Sequence, residues 1–155
     1  MFTRRTALVM TAASLALAAC GRKGPDPEVA PVSLYNGESP EMRALIEKYA
    51  VVYDMPPSLI HRVIQRESGY NAAARNGPYY GLMQILPQTA RGMGYRGPDQ
   101  GLLDAETNLI YAGKYLKGAW IVARGNQTAA VGWYANGYYY EAKRLGLLTE
   151  TGLRT

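Results

Sequence analysis

The residue best suited to acid–base chemistry in this chain of 155 residues is Glu67. Ile60, Val63 and Ile64 precede it at helical spacing, and Glu67 continues the same face one turn later. A carboxyl group on an apolar face loses hydration, which disfavours its ionised form and raises its pKa. Glu67 is therefore the candidate general acid. If its side chain instead tilts outward at the helix end, it is an ordinary solvated glutamate.

A second short segment, Gly-Leu-Met-Gln at 81–84, follows Glu67 after a turn-rich stretch. Glycine lets the backbone approach a bulky ligand, Met83 offers a polarisable surface, and the Gln84 amide can bond to N-acetyl or hydroxyl groups. Ser68 has a hydroxyl that either orients a reacting group or caps the helix end. Because the sequence has no aspartate or glutamate over 68–98, Glu67 is expected to act without a second carboxylate from this stretch, which is sufficient if the substrate supplies the nucleophile.

These segments resemble the catalytic domain of the soluble-lytic-transglycosylase type, which is related to goose-type lysozyme. The resemblance is carried by Glu-Ser-Gly-Tyr-Asn at 67–71, Gly-Leu-Met-Gln-Ile at 81–85 and Pro-Gln-Thr-Ala at 87–90. It implies a peptidoglycan lytic transglycosylase, in which Glu67 protonates the β-1,4 bond between N-acetylmuramic acid and N-acetylglucosamine. Glu67 then acts as base toward the muramyl 6-hydroxyl, and a 1,6-anhydro product forms.

The resemblance also implies a tyrosine near the acid. Its Tyr-Asn-Ala-Gly motif corresponds here to Tyr-Ala-Asn-Gly at 134–137. Tyr134 is therefore expected to be a partner of Glu67 and to join Ser68, Met83 and Gln84 as a substrate-binding residue. Asn136 is displaced by one position, and one residue turns a helical side chain by about 100°. It is therefore not assigned the role of the family's asparagine.

Apolar spacing and helix-start residues predict helices from Pro40, from Pro57 to Glu67, and from Asp104 through Ala123. Three shorter helices are predicted over 87–91, 127–134 and 141–145, and a loop or small hairpin over 71–80. Many short helices with at most one hairpin predict an α+β fold that is mainly α. The resemblance makes it a lysozyme-like domain, over 40–155.

The N-terminal residues 1–19 have the features of an export signal, because a basic start is followed by an apolar stretch. Small residues immediately before Cys20 resemble the lipobox of bacterial lipoproteins, which predicts cleavage before Cys20 and lipidation of its thiol. As the only cysteine, Cys20 has no disulfide partner in the chain. An uncleaved anchor is the alternative, and Thr-Arg-Arg at 3–5 partly resembles a twin-arginine signal, so the export route stays open.

The segment 20–39 contains prolines and glycines without apolar periodicity, so it is predicted to be a flexible tether after the lipidated cysteine. Gly21 after Cys20 resembles sorting to the outer membrane. The protein is therefore expected to be held on the periplasmic side of that membrane by a lipid anchor.

The formal net charge is +5, but the basic residues are scattered and the sequence has no nucleic-acid motif. A nucleic-acid partner is therefore not expected. The expected partner is the peptidoglycan glycan strand. His61, the only histidine, and the single cysteine make no metal site, and no cofactor is predicted. Two other functions stay open: a muramidase of the same fold that uses water, and a wall-binding domain of an envelope-spanning assembly with weak or lost catalysis.

Overall fold

The computed structural model describes residues 33–154. They form six α-helices and one antiparallel hairpin, in the order α1 (Pro40–Val52), α2 (Pro57–Glu67), β1 (Arg75–Asn76), β2 (Tyr79–Tyr80), α3 (Pro87–Gly92), α4 (Ala105–Val122), α5 (Gln127–Asn136) and α6 (Tyr139–Leu145). A short 3₁₀-helix, Asp99–Leu103, precedes α4. The predicted mainly helical α+β class is confirmed. The leader, Cys20 and most of the predicted tether lie outside the described residues.

The helices begin at the residues whose side chains can replace the missing hydrogen bonds of a first turn. The Ser39 hydroxyl accepts the Met42 N–H at 3.2 Å before α1, and Asp104 Oδ1 accepts the Thr107 N–H at 2.8 Å before α4. Helix α2 begins with Pro57, whose fixed φ suits the first helical position. The predicted starts of these three helices are confirmed.

Two helices differ from their predicted bounds near the C-terminus. Helix α5 extends to Asn136, and α6 begins at Tyr139. The break between them is Gly137, which has a φ of +82° and ends α5. Since three consecutive tyrosines follow, the sequence has no change of polarity that marks where the next helix begins.

Helix α4 is the central element, and it packs against α1, α3, α5, α6 and the 3₁₀-helix. Its Leu109 and Leu116 are fully buried. Helix α2 packs against α1 and α5 through Leu59, Ile60 and neighbouring apolar residues that are also fully buried. The scaffold therefore fixes the C-terminal end of α2 relative to α5.

Residues 33–39 correct the predicted extent of the tether, because they pack onto the folded unit that begins at Ser33. The Glu38 side chain is fully buried, and it accepts hydrogen bonds from Arg43 Nε and Nη2, both at 2.6 Å. The Arg43 guanidinium holds the pKa of the Glu38 carboxyl below its usual range. The sequence did not indicate this contact, since the pair links a non-helical residue to a helix and follows no helical or strand period.

Candidate active site

Glu67 is the last residue of α2, after the fully buried Ile60, Val63 and Ile64. Its side chain is 23% exposed. It opens onto a depression of about 300 Å³ lined by Arg66, Glu67, Asn76, Tyr79, Gln84, Tyr134 and Ala135. Glu67 therefore lies at the end of an apolar helical face, as expected, with its carboxyl group accessible to a ligand.

Burial raises the pKa of Glu67, and the nearby Arg66 guanidinium opposes the shift. Arg66 Nε lies 3.5 Å from Glu67 Oε1, and the arginine side chain is half exposed, so water screens its charge. The net effect favours the protonated carboxyl over a wider pH range than an exposed glutamate allows. This is the state that a general acid requires at the start of a reaction.

A second depression of about 220 Å³ continues from the first, lined by Tyr79, Gln84, Ile85, Leu86, Thr89, Tyr115, Tyr134, Ala135, Asn136 and Gly137. Four residues line both depressions: Tyr79, Gln84, Tyr134 and Ala135. The two depressions together form one open groove, which extends from Glu67 past the C-terminal end of α5. Among the described residues, Glu67 is the only aspartate or glutamate that lines it.

The segment 81–84 forms a tight turn under this groove. Gly81 has a φ of +75°, and a Cβ added to it would lie 2.1 Å from the Leu102 carbonyl oxygen and 2.3 Å from Asn108 Nδ2. Only glycine fits this position. The sequence predicted that Gly81 permits close approach of a ligand, whereas the structure shows that the close approach is to Leu102 and Asn108 of the same chain.

Asn108 is a site residue that the sequence reasoning missed. It is fully buried in the first turn of α4 and donates from Nδ2 to the carbonyl oxygens of Tyr80 and Leu102, at 2.9 and 2.8 Å. Its Oδ1 accepts the Met83 N–H at 2.9 Å. An asparagine on the apolar face of a predicted helix was the signal, since a buried amide requires partners for both ends.

Two expected substrate-binding residues direct their hydroxyl groups at the same turn. Ser68 Oγ donates to the Leu82 carbonyl oxygen at 2.6 Å, and Tyr134 Oη donates to the Met83 carbonyl oxygen at 2.8 Å. Each hydroxyl proton is thus used within the protein. Ser68 and Tyr134 join the turn to the end of α2 and to α5, so they position the groove around Glu67.

The side chain of Met83 is fully buried in the core. The prediction that its thioether offers a surface to the substrate is therefore corrected. The N–H and carbonyl oxygen of Met83 are held by Asn108 and Tyr134. Met83 contributes to the site through packing and its backbone.

Gln84 does line the groove, and its φ of +49° is unusual for a residue other than glycine. Its Nε2 donates to the carbonyl oxygens of Gly81 and Ala74, at 2.8 and 3.1 Å. Its Oε1 is the one buried side-chain oxygen or nitrogen without a hydrogen-bond partner in the described part of the chain. The amide of Gln84 thus stabilises the turn through its nitrogen, Nε2.

Tyr134 and Glu67 line the same depression. Burial raises the pKa of Tyr134 far above its usual value, and the charge of Glu67 raises it further. Tyr134 is therefore a neutral phenol beside Glu67. Asn136 is exposed at the end of α5, donates to the Gly132 carbonyl oxygen at 3.0 Å, and lines the part of the groove beyond Glu67.

Within residues 33–154 no group of three or more His, Cys, Asp or Glu side chains is placed to hold a metal ion. His61 is buried, and its Nδ1 is paired with the Tyr70 hydroxyl at 2.9 Å. In the same part of the chain, no helix has the length and apolar character needed to cross a membrane.

A mainly helical domain with a small hairpin, and with a single partly buried glutamate in an open groove, is of the lysozyme-like class. The family model described as "Transglycosylase SLT domain" matches residues 44–146, and the chain belongs to this family. The match confirms the resemblance to peptidoglycan lytic transglycosylases and implies peptidoglycan as the bound substrate. No solved structure matches the chain.

Proposed function

We propose that the protein cleaves the β-1,4 bond between N-acetylmuramic acid and N-acetylglucosamine and leaves 1,6-anhydromuramyl ends. The observation that carries this proposal is the position of Glu67, whose pKa is raised by burial and which is the only carboxylate lining the groove within residues 33–154. A two-carboxylate mechanism would need a second acid flanking the bond.

In the proposed reaction Glu67 first donates its proton to the glycosidic oxygen, and the bond from that oxygen to C1 of the muramyl residue breaks. The substrate's acetamido group stabilises the cationic C1. Glu67, now ionised, takes the proton of the muramyl 6-hydroxyl as its oxygen forms a bond to C1. The carboxyl group ends protonated, and no water is consumed. The intramolecular nucleophile is favoured because it is already held beside C1.

Removing the acid tests this role. Glu67→Gln keeps the shape and loses the ionisable proton, and we expect turnover to fall by about 10²- to 10⁴-fold or more, since one residue serves both steps. Asp99→Asn and Asp104→Asn are the matched controls: Asp99 pairs with Arg91 at the surface, and Asp104 caps α4. Mass spectrometry of digested peptidoglycan gives the readout. An equal collapse in Asp99→Asn, or substantial activity in Glu67→Gln, would assign the chemistry to another group.

The same digest separates the alternative functions. A muramidase that uses water leaves reducing ends, which are heavier than anhydro ends by one water molecule. A wall-binding domain of an envelope-spanning assembly would bind sacculi and release no muropeptides. The position of Glu67 in the lining of the groove, with a pKa that burial raises, supports an active enzyme over this second alternative.

We further propose that the protein acts from the periplasmic face of the outer membrane, anchored through lipidated Cys20. The support is the sequence of the leader and its small residues before Cys20. Cys20→Ser removes the acceptor sulfur, so we expect the variant to leave the membrane fraction and to migrate differently on a gel. Unchanged fractionation and mobility would contradict the anchor.

A further inference from the structure

Beyond the groove lies a group of aromatic side chains, which we name the aromatic ledge: Trp133 on α5, which is partly buried, and the exposed Tyr139 and Tyr140 in the first turn of α6. Tyr139 is 48% exposed and Tyr140 83% exposed. The ledge lines a depression of about 460 Å³ together with Asn136, Gly137, Glu141 and Arg144. Exposed aromatic groups in one cluster are uncommon on a surface without a binding role.

The ledge is continuous with the groove. Asn136 and Gly137 line both the ledge depression and the part of the groove beyond Glu67. Glu67 itself lines only the first depression, at the opposite end. A linear polymer that lies in the groove and continues past Asn136 therefore reaches the ledge next.

The ledge is also held in a fixed position relative to the groove. Tyr138, between α5 and α6, is buried, and its hydroxyl donates to the Tyr115 carbonyl oxygen at 2.8 Å. Tyr115 in turn lines the groove. This contact anchors α6, which carries Tyr139 and Tyr140. Because no loop has to become ordered when a ligand binds, the entropic cost of binding is lower.

The chemistry of the ledge favours one occupant. The rings of Tyr139 and Tyr140 lie 5.4 Å apart at 83°, so they contact each other edge to face. At the rim, Arg144 Nε donates to Glu141 Oε2 at 2.7 Å, which pairs the two charges with each other. A surface that combines aromatic faces, polar groups and paired charges suits a sugar ring, which has an apolar C–H face and a hydroxyl rim, better than a phosphate or an acidic peptide.

We propose that the aromatic ledge binds sugar residues of the glycan strand distal to the cleaved bond, so that the protein favours long strands over short oligosaccharides. The proposal rests on the proposed function in taking a glycan as the ligand of the groove. It adds a binding site, on three named side chains, that lies outside the residues around Glu67.

Binding is measured in the Glu67→Gln background, so that cleavage does not interfere. The probes are purified glycan strands as the long ligand and a tetrasaccharide as the short one, and titration calorimetry gives their affinities. In Tyr139→Ala/Tyr140→Ala we expect affinity for long strands to fall about tenfold, from two lost aromatic contacts. Affinity for the tetrasaccharide should stay unchanged.

Two matched variants separate stacking from other effects. Tyr139→Phe/Tyr140→Phe keeps both rings, so it should retain the affinity for long strands. Val51→Ala/Val52→Ala removes apolar groups that are similarly exposed, at the end of α1, and should change neither affinity. Equal affinities of the Tyr139→Ala/Tyr140→Ala variant and its parent for long strands would overturn the proposal, as would an equal loss for the tetrasaccharide.

Turnover with Glu67 restored distinguishes this proposal from the proposed function. The double alanine variant should show a raised KM for long strands and an unchanged kcat. If the parent releases no anhydromuropeptides but its affinity for long strands still depends on Tyr139 and Tyr140, the proposed function is wrong and glycan binding by the ledge is supported. If the parent cleaves strands and the double alanine variant does so with the same KM, the proposed function is supported and glycan binding by the ledge is wrong.

Discussion

Replacing Asn108 by alanine removes the side chain that holds the 81–84 turn against α4. Three hydrogen bonds are lost: those to the carbonyl oxygens of Tyr80 and Leu102, and the one from the Met83 N–H. The Tyr80 oxygen keeps a partner, because the Ile85 N–H also donates to it at 3.1 Å. The Met83 N–H and the Leu102 oxygen lose the partner that the side chain supplied.

A buried polar group left without a partner costs about 1–3 kcal/mol, so two such groups predict a loss of about 2–6 kcal/mol in the free energy of unfolding. Domains of this size have a total of about 5–15 kcal/mol. Asn108→Ala should therefore lower stability markedly and loosen the turn next to Glu67. Activity should fall with it, since the turn carries Gln84 and the carbonyl groups that Ser68 and Tyr134 hold.

Urea denaturation followed by circular dichroism at 222 nm measures the loss. Asn126→Ala is the matched control: this exposed asparagine only accepts the Ala129 N–H at the start of α5, and losing such a cap costs about 1 kcal/mol. Asn108→Asp places a carboxylate oxygen opposite two carbonyl oxygens, so it should be more damaging at pH 7 than at pH 4, where it can protonate. If Asn108→Ala costs no more than Asn126→Ala, the argument from buried hydrogen bonds is wrong.

Two further predictions concern charge. Arg66→Gln removes the cation that opposes the raised pKa of Glu67, so the alkaline limb of the kcat/KM profile should move to higher pH; a shift to lower pH would contradict the assigned role of Arg66. Arg43→Ala leaves the Glu38 carboxylate without its main partner and should lower the free energy of unfolding at pH 7. Because pairing lowers the pKa of Glu38, its stabilising effect is lost as pH falls through the folded-state value. The difference between Arg43→Ala and its parent in urea denaturation should therefore shrink well below pH 4.5, and a constant difference would point to a steric cause.

Local chemistry accounts for what could be predicted from the sequence. Helix starts at Ser39 and Asp104 depend on side chains within three residues of the bonds they make, so a single chain segment contains the whole signal. The position of Glu67 followed from the helical period alone. The bounds of α5 and α6 were less accurate, because the run of tyrosines from Tyr138 has no contrast between core and surface residues.

The roles of individual site residues depended on contacts between distant segments. The sequence indicated Ser68, Met83 and Tyr134 as groups that face the substrate. The structure shows that the hydroxyl groups of Ser68 and Tyr134 hold the turn, that Tyr134 also lines the groove, and that Met83 packs in the core. The residue type at a motif position is the same whether its hydroxyl group donates to a ligand or to a carbonyl group of the protein. Only the positions of both partners separate the two roles.

By itself, the sequence determined the class of the fold, the place of Glu67 at the end of an apolar helical face and the absence of other acids over 68–98, since these depend on residue type and short-range period. The tertiary structure decided which side chains reach the groove, why position 81 must be glycine, and that 33–39 belong to the folded unit. It also decided that Asn108, far along the chain, supports the turn beside Glu67. Burial and hydrogen-bond partners come from packing between segments that are far apart in sequence, and no local pattern encodes that packing.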